Sequence, residues 1–295
     1  MKTNQIAFWA MLFVALLAGC QSEKNSNQKV LSVTIEPQRF FLEKIVGNSY
    51  RINTGVPPGA SPETYEPTPA IMLDLAKSEM YFKVGYLGFE NVWVANLAKN
   101  NPKIMIVDCS KGIDLIFGSH VHVNEGEAES HTPAPDPHVW SSPKTARIFC
   151  KNMFDAILSA YPDSINNYKA NYEKLEKIID ETDSTVSQLL RNAPSRSFII
   201  YHPALSYLAR DYDLIQHSIE FEGKNPSPSQ MKSLVDIAKS EHVKVVFIQK
   251  GFDRKNAEVV AQEVGAKVFE INPLGYEWNK EMIRIAEILA GKRDE

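Results

Sequence analysis

Residues 163–192 carry a helical stripe that few other windows of this chain match. Ile165, Tyr168, Tyr172, Leu175, Ile179, Thr182, Val186 and Leu189 recur at alternating spacings of three and four, which places them on one face of an α-helix. Asp163 is expected to cap its start, Glu173 and Lys177 form a favourable i,i+4 pair, and Pro194 ends the run. At 1.5 Å per residue such a helix is roughly 40 Å long, the breadth of a whole domain. A coiled-coil seam shows the same periodicity, but only one such segment occurs here and mixed segments flank it on both sides. The stripe therefore reads as a stiff strut between two lobes.

On either side of it, strand patterns alternate with helical ones. Before the strut, residues 30–35, 51–56, 80–84 and 104–108 read as strands, with helices over 38–46, 69–77, 89–99 and from the turn at 136–143 to about 161. After it come strands 197–201, 214–220, 243–249 and 267–271, with helices 204–210, 229–240, 254–264 and 280–290. That order predicts an α/β protein in which each lobe is a mainly parallel sheet with flanking helices. The expected division is a lobe over 30–161, the linker helix over 162–193 and a second lobe over 194–295. A length of 295 residues, 44% of them hydrophobic and 23% charged, allows two such cores.

Residues 1–19 read as a targeting segment. Lys2 precedes the apolar run 6–17, which suits a signal-peptide core and is short for a membrane span. The run ends Leu17-Ala18-Gly19-Cys20, which resembles the bacterial lipoprotein box, so Cys20 is expected to be lipidated and to anchor the chain to a membrane. Residues 20–29 then form a polar tether. Cys109 and Cys150 remain, and their pairing stays open from sequence alone. A net charge of −4 without a basic patch argues against nucleic acid as a partner.

In parallel α/β sheets, ligands gather beyond the carboxyl ends of the strands. Glu63 and Glu66 lie in a breaker-rich loop after the second strand, His202 directly follows residues 197–201, and Asn272 directly follows 267–271. His138 sits in a turn before a helix. Both His138 and His202 adjoin proline, which fixes the local backbone. Two imidazoles with a carboxylate suit zinc. His120, His122 and His131 stand among glutamates in an irregular stretch, either as loose metal collectors or as a solvated loop. His217 and His242 read as structural or surface residues, and Trp140 and Tyr207 as core or cleft-wall aromatics.

Several motifs carry a resemblance. Tyr65-Glu66-Pro67-Thr68-Pro69, Asp136-Pro137-His138-Val139-Trp140-Ser141-Ser142-Pro143, Tyr201-His202-Pro203 and its continuation to Tyr212, Lys224-Asn225-Pro226-Ser227-Pro228-Ser229 and Asn272-Pro273-Leu274-Gly275 follow one another in order. Together they resemble the metal-binding lipoproteins, or solute-binding proteins, of bacterial zinc and manganese ABC transporters. The resemblance implies two Rossmann-like lobes joined by one long linker helix, with a metal in the cleft between them. It implies His138 and His202 as ligands, Glu63 where the family usually has histidine, and Asn272, a weak donor, where it usually has aspartate. Water, Glu66 or a histidine from the acidic loop remain alternatives for the fourth position; the preferred role for Glu66 is orienting a ligating histidine.

His202 and the histidine-bearing loop favour Zn(II) over Mn(II) as the transported ion. The implied partners are a cognate ABC permease and its ATPase, the implied location is the extracytoplasmic face of the cell envelope, and the chain is expected to act as a monomer. No P-loop, dinucleotide glycine fingerprint or His-Glu-x-x-His is present, so the chain is expected not to be an enzyme. A zinc hydrolase using Glu63 or Glu66 as base, and an adhesin, are the competing readings.

Overall fold

The computed structural model describes residues 28–117, 134–220, 224–252 and 254–293. The targeting segment with Cys20, and the loop carrying His120, His122 and His131, lie outside the described residues.

The first sheet contains β1 (Val30–Val33), β2 (Arg51–Thr54), β3 (Met80–Lys83) and β4 (Met105–Asp108) in the order β2-β1-β3-β4, all parallel. The second contains β5 (Ser197–Ile200), β6 (Ile215–Ser218), β7 (Val245–Gln249) and β8 (Lys267–Ile271) in the order β6-β5-β7-β8, also parallel. The two sheets thus share one topology. In each, the connection reverses direction between the first and third strands, and a crevice opens there at the carboxyl ends.

Helices α1 (Glu36–Val46), α2 (Pro69–Leu75), α3 (Ala95–Asn100) and α4 (Pro143–Ala160) belong to the first lobe. The linker α5 (Ile165–Arg191) leads to α6 (Ser206–Asp211), α7 (Pro228–Ser240), α8 (Arg254–Val264) and α9 (Trp278–Leu289). Tyr168, Tyr172, Leu175, Ile179, Thr182, Val186 and Leu189 are buried along α5 as the stripe requires, while Ile165 is half-buried. This face packs on α1 and α4 of one lobe and α9 of the other. Asp163 does not cap the helix. It lies in a 3-10 turn, Pro162–Ser164, and the capping position falls to Ser164, whose side chain makes no capping hydrogen bond.

One apolar core runs through both lobes. Phe41, Phe82 and Phe149 of the first lobe join Leu175 and Ile179 of the linker and Phe198, Phe247 and Ile285 of the second in a single cluster. The outer sheet faces have smaller clusters, around Tyr81 and Phe89 on one side and around Ile199 and Val246 on the other. Cys109 and Cys150 are buried free thiols.

A π-helical turn, Glu90–Val94, precedes α3, where the sequence pattern predicts one continuous α-helix. The buried Glu90 carboxylate bonds back across the turn after β3, accepting from the Val84 N–H at 2.6 Å and the Gly85 N–H at 2.7 Å. Burial pushes its pKa up to about 7 despite these donors and the Thr34 hydroxyl.

Candidate metal centre

The site lies between the carboxyl ends of the two sheets. His138 enters from the connection between β4 and α4, fixed by Asp136, whose Oδ1 accepts from the His138 backbone N–H at 2.9 Å. Its ring Nδ1 contacts the same carboxylate oxygen at 2.8 Å. His202 leaves the end of β5 and is anchored by Gln249 at the end of β7, which accepts from the His202 N–H at 3.2 Å. Its Nδ1 lies 3.2 Å from Glu220 Oε2, just past β6.

Each imidazole therefore has its Nδ1 held by a carboxylate, so Nδ1 keeps its proton and Nε2 presents a lone pair. The two Nε2 atoms face one another at 3.3 Å, with the rings at 70°. Glu63 completes the group: its carboxylate and the two ring nitrogens lie within 4.8 Å of one another. Two neutral nitrogen donors and one anionic oxygen, converging from both lobes, match the coordination preferences of zinc.

The electrostatics agree with that geometry. Burial disfavours charge on His138, but Asp136 beside it, with Glu63 and Glu220, outweighs burial and raises its pKa above the ordinary histidine value. Burial likewise works against ionised Asp136, yet His138 and its hydrogen bonds hold that carboxyl below the usual range. This corner collects negative charge.

The Glu63 loop is seated by close backbone contact. Pro62 O accepts from the Phe89 N–H at 3.1 Å, and a Cβ on Gly88 would come within 2.8 Å of Glu63 O. Opposite, Trp140 Nε1 donates to Pro273 O at 2.9 Å, while Trp278 Nε1 donates to Trp140 O at 2.7 Å. These indoles stitch the His138 segment to the Asn272 segment. Tyr207, also buried, donates to Asp136 O at 2.8 Å.

Glu63, His138, His202 and Asn272 all line one cavity, together with Trp140. Asn272 donates its backbone N–H to Glu281 Oε1 at 2.7 Å. Glu66 is not where the sequence reading expects it. It is exposed and outside the cavity lining, because the chain turns away after Glu63, and Asp136 and Glu220 hold the two histidines instead. Asp136 was within reach of sequence reasoning, two residues before His138; Glu220 was not, since only the pairing of β5 with β6 brings it to His202. His217 pairs with Glu241 at 2.7 Å, away from the cleft lining.

The family profile described as the periplasmic component A of the zinc-uptake complex, ZnuA, matches residues 31–284. The high-affinity zinc uptake system protein ZnuA of Bacillus subtilis is 29% identical over 286 residues, which cover 90% of this chain and 88% of that protein. The zinc-binding protein AdcA of Streptococcus pyogenes is 28% identical over 267 residues, 84% of this chain, which spans only about half (51%) of AdcA. A crystal structure of ZnuA superposes with a TM-score of 0.81 at 32% identity, covering 90% of this chain and 99% of that one. The chain thus belongs to the ZnuA family of periplasmic zinc-uptake solute-binding proteins, which carry Zn(II) as transported ligand and work with an ABC permease and its ATPase.

Proposed function

We propose that this protein captures Zn(II) through Glu63, His138 and His202 and hands it to the permease from the cleft between its lobes. The observation that carries this assignment is the approach of the two Nε2 atoms to 3.3 Å from histidines 64 positions apart, with Asp136 and Glu220 behind them. Asn272 is a weak auxiliary donor at the rim. The linker helix and the indole bonds between Trp140, Pro273 and Trp278 allow only small adjustments between the lobes. Release accordingly runs through the Glu63 loop rather than through wide opening.

In the same reading residues 1–19 are a signal peptide, Cys20 is lipidated, residues 20–29 are a tether, and the mature chain works as a membrane-anchored monomer, a carrier and not an enzyme. The folded part divides into lobes at 30–161 and 194–295 with the linker at 162–193. Among the described residues no helix is long and apolar enough to cross a membrane. Calorimetric titration of the metal-free protein with zinc at neutral pH tests the central claim: submicromolar one-to-one binding supports it, and absence of binding heat together with unchanged thermal stability removes it.

A further inference from the structure

We propose that the cleft takes zinc together with a small chelating carboxylate, the anion bridging the metal and the side chain of Lys250; this rests on the zinc assignment above. The shape of the cavity is the first argument. It holds about 320 Å³, on the order of ten water volumes, more than a bare ion fills. Trp140, Phe252, Pro273 and Leu274 supply apolar wall, and the Phe252 ring lies nearly parallel to His202 at 5.9 Å. A concave, largely apolar space with a few convergent polar groups suits a small organic guest. An ion alone makes no use of such walls.

Charge is the second argument. Lys250 lines the same cavity and has no carboxylate partner among the described residues. Lys250 is exposed at this cavity, so its ammonium is open to an anionic guest. A metal-bound carboxylate offers that ammonium a charge-assisted partner, which a water at the same position does not. The donor count is the third. Glu63, His138 and His202 provide three ligands, zinc in protein sites usually takes four, and Asn272 offers only a neutral amide. A carboxylate with a neighbouring hydroxyl or amino donor supplies anionic oxygen to the metal, and at neutral pH it is already ionised, so binding requires no proton transfer from the acid.

The test is native mass spectrometry of the full chain with zinc alone and with zinc plus citrate or histidine as probes. The expected result is a one-to-one-to-one complex that forms only when zinc is present. Lys250→Met should lower the ratio of ternary to zinc-only complex roughly tenfold or more, the worth of one charge-assisted hydrogen bond, while Lys250→Arg should retain it. The zinc-only complex of each variant serves as its own reference. Zinc-only complexes at every probe concentration, with zinc affinity falling as far as the probe's own chelation requires, would overturn the proposal, as would an unchanged ratio in Lys250→Met. Loss of the zinc complex itself in the wild-type chain would overturn the zinc assignment, a distinguishable failure.

Discussion

Asp136 and Glu220 govern what His138 and His202 offer to a metal, because a carboxylate on Nδ1 fixes both the tautomer and the ring orientation. Asp136→Asn or Glu220→Gln should lower zinc affinity by roughly 10- to 100-fold without removing a donor, measured by competition against a chromophoric chelator. His202→Ala should cost more than either, and Asn272→Ala should change affinity by less than about threefold, as befits a weak amide donor. Equal losses in these last two would make Asn272 a full ligand. The proton competes for the same lone pairs. Because the His138 pKa lies above the ordinary 6.5, protons occupy this ring in the metal-free protein at higher pH than on a free histidine. Zinc affinity should therefore begin to fall as pH drops through neutrality, earlier than the onset near pH 6 expected of unperturbed histidines, and titrations between pH 8 and 5.5 check the direction. A fall that begins only below pH 6 would mean that Asp136 does not act on the ring as described. His138 and His202 themselves were legible in the sequence, each beside a proline at a strand end or helix start. Their supporting carboxylates were less so, because one depends on which strands become neighbours.

At the scale of elements, the Glu63 loop is held by a tight backbone approach, with Tyr65 stacked on Phe89 beside it. A Cβ at Gly88 would stand 2.8 Å from the carbonyl oxygen of Glu63, closer than heavy atoms tolerate, so Gly88→Ala must push the loop outward. The helix that follows is anchored through the buried Glu90 carboxylate, so the loop is the part that gives. Zinc affinity should fall roughly tenfold or more, since misplacing a ligand by about 1 Å is costly, while thermal stability without metal changes little. Calorimetry and thermal melts on one variant separate the two, and unchanged affinity would show that the loop tolerates displacement. The linker was plain from its periodicity because seven of its eight stripe positions are buried against neighbours. The π-turn at Glu90–Val94 was not, since its extra residue per turn serves a carboxylate that reaches back to Val84 and Gly85. Nothing local in the sequence marks that tertiary bond. The cap at Asp163 failed for a similar reason: proline at 162 starts a 3-10 turn and carries the aspartate past the capping position.

For the whole molecule, two sheets of identical strand order suggest two independent folding units, yet the packing argues for one. The linker side chains Leu175 and Ile179 are fully buried in a cluster that also holds Phe41 and Phe149 of one lobe and Trp278 and Ile285 of the other. Leu175 is fully buried in that shared core, so Leu175→Ala should cost about 2–5 kcal/mol. If the shared core couples the lobes, the variant still melts in one transition, with calorimetric and van't Hoff enthalpies equal, at a lower temperature. If each lobe folds alone, the loss splits the trace into two transitions. Zinc gives the complementary reading. Its proposed ligands come from both lobes, so at a free concentration about 1,000 times its dissociation constant it should add about 4 kcal/mol of stability. That increment should raise the single transition as a whole, in the variant as in the parent. A zinc-dependent rise confined to one of two resolved transitions would place the metal on one lobe and contradict a site shared between Glu63, His138 and His202.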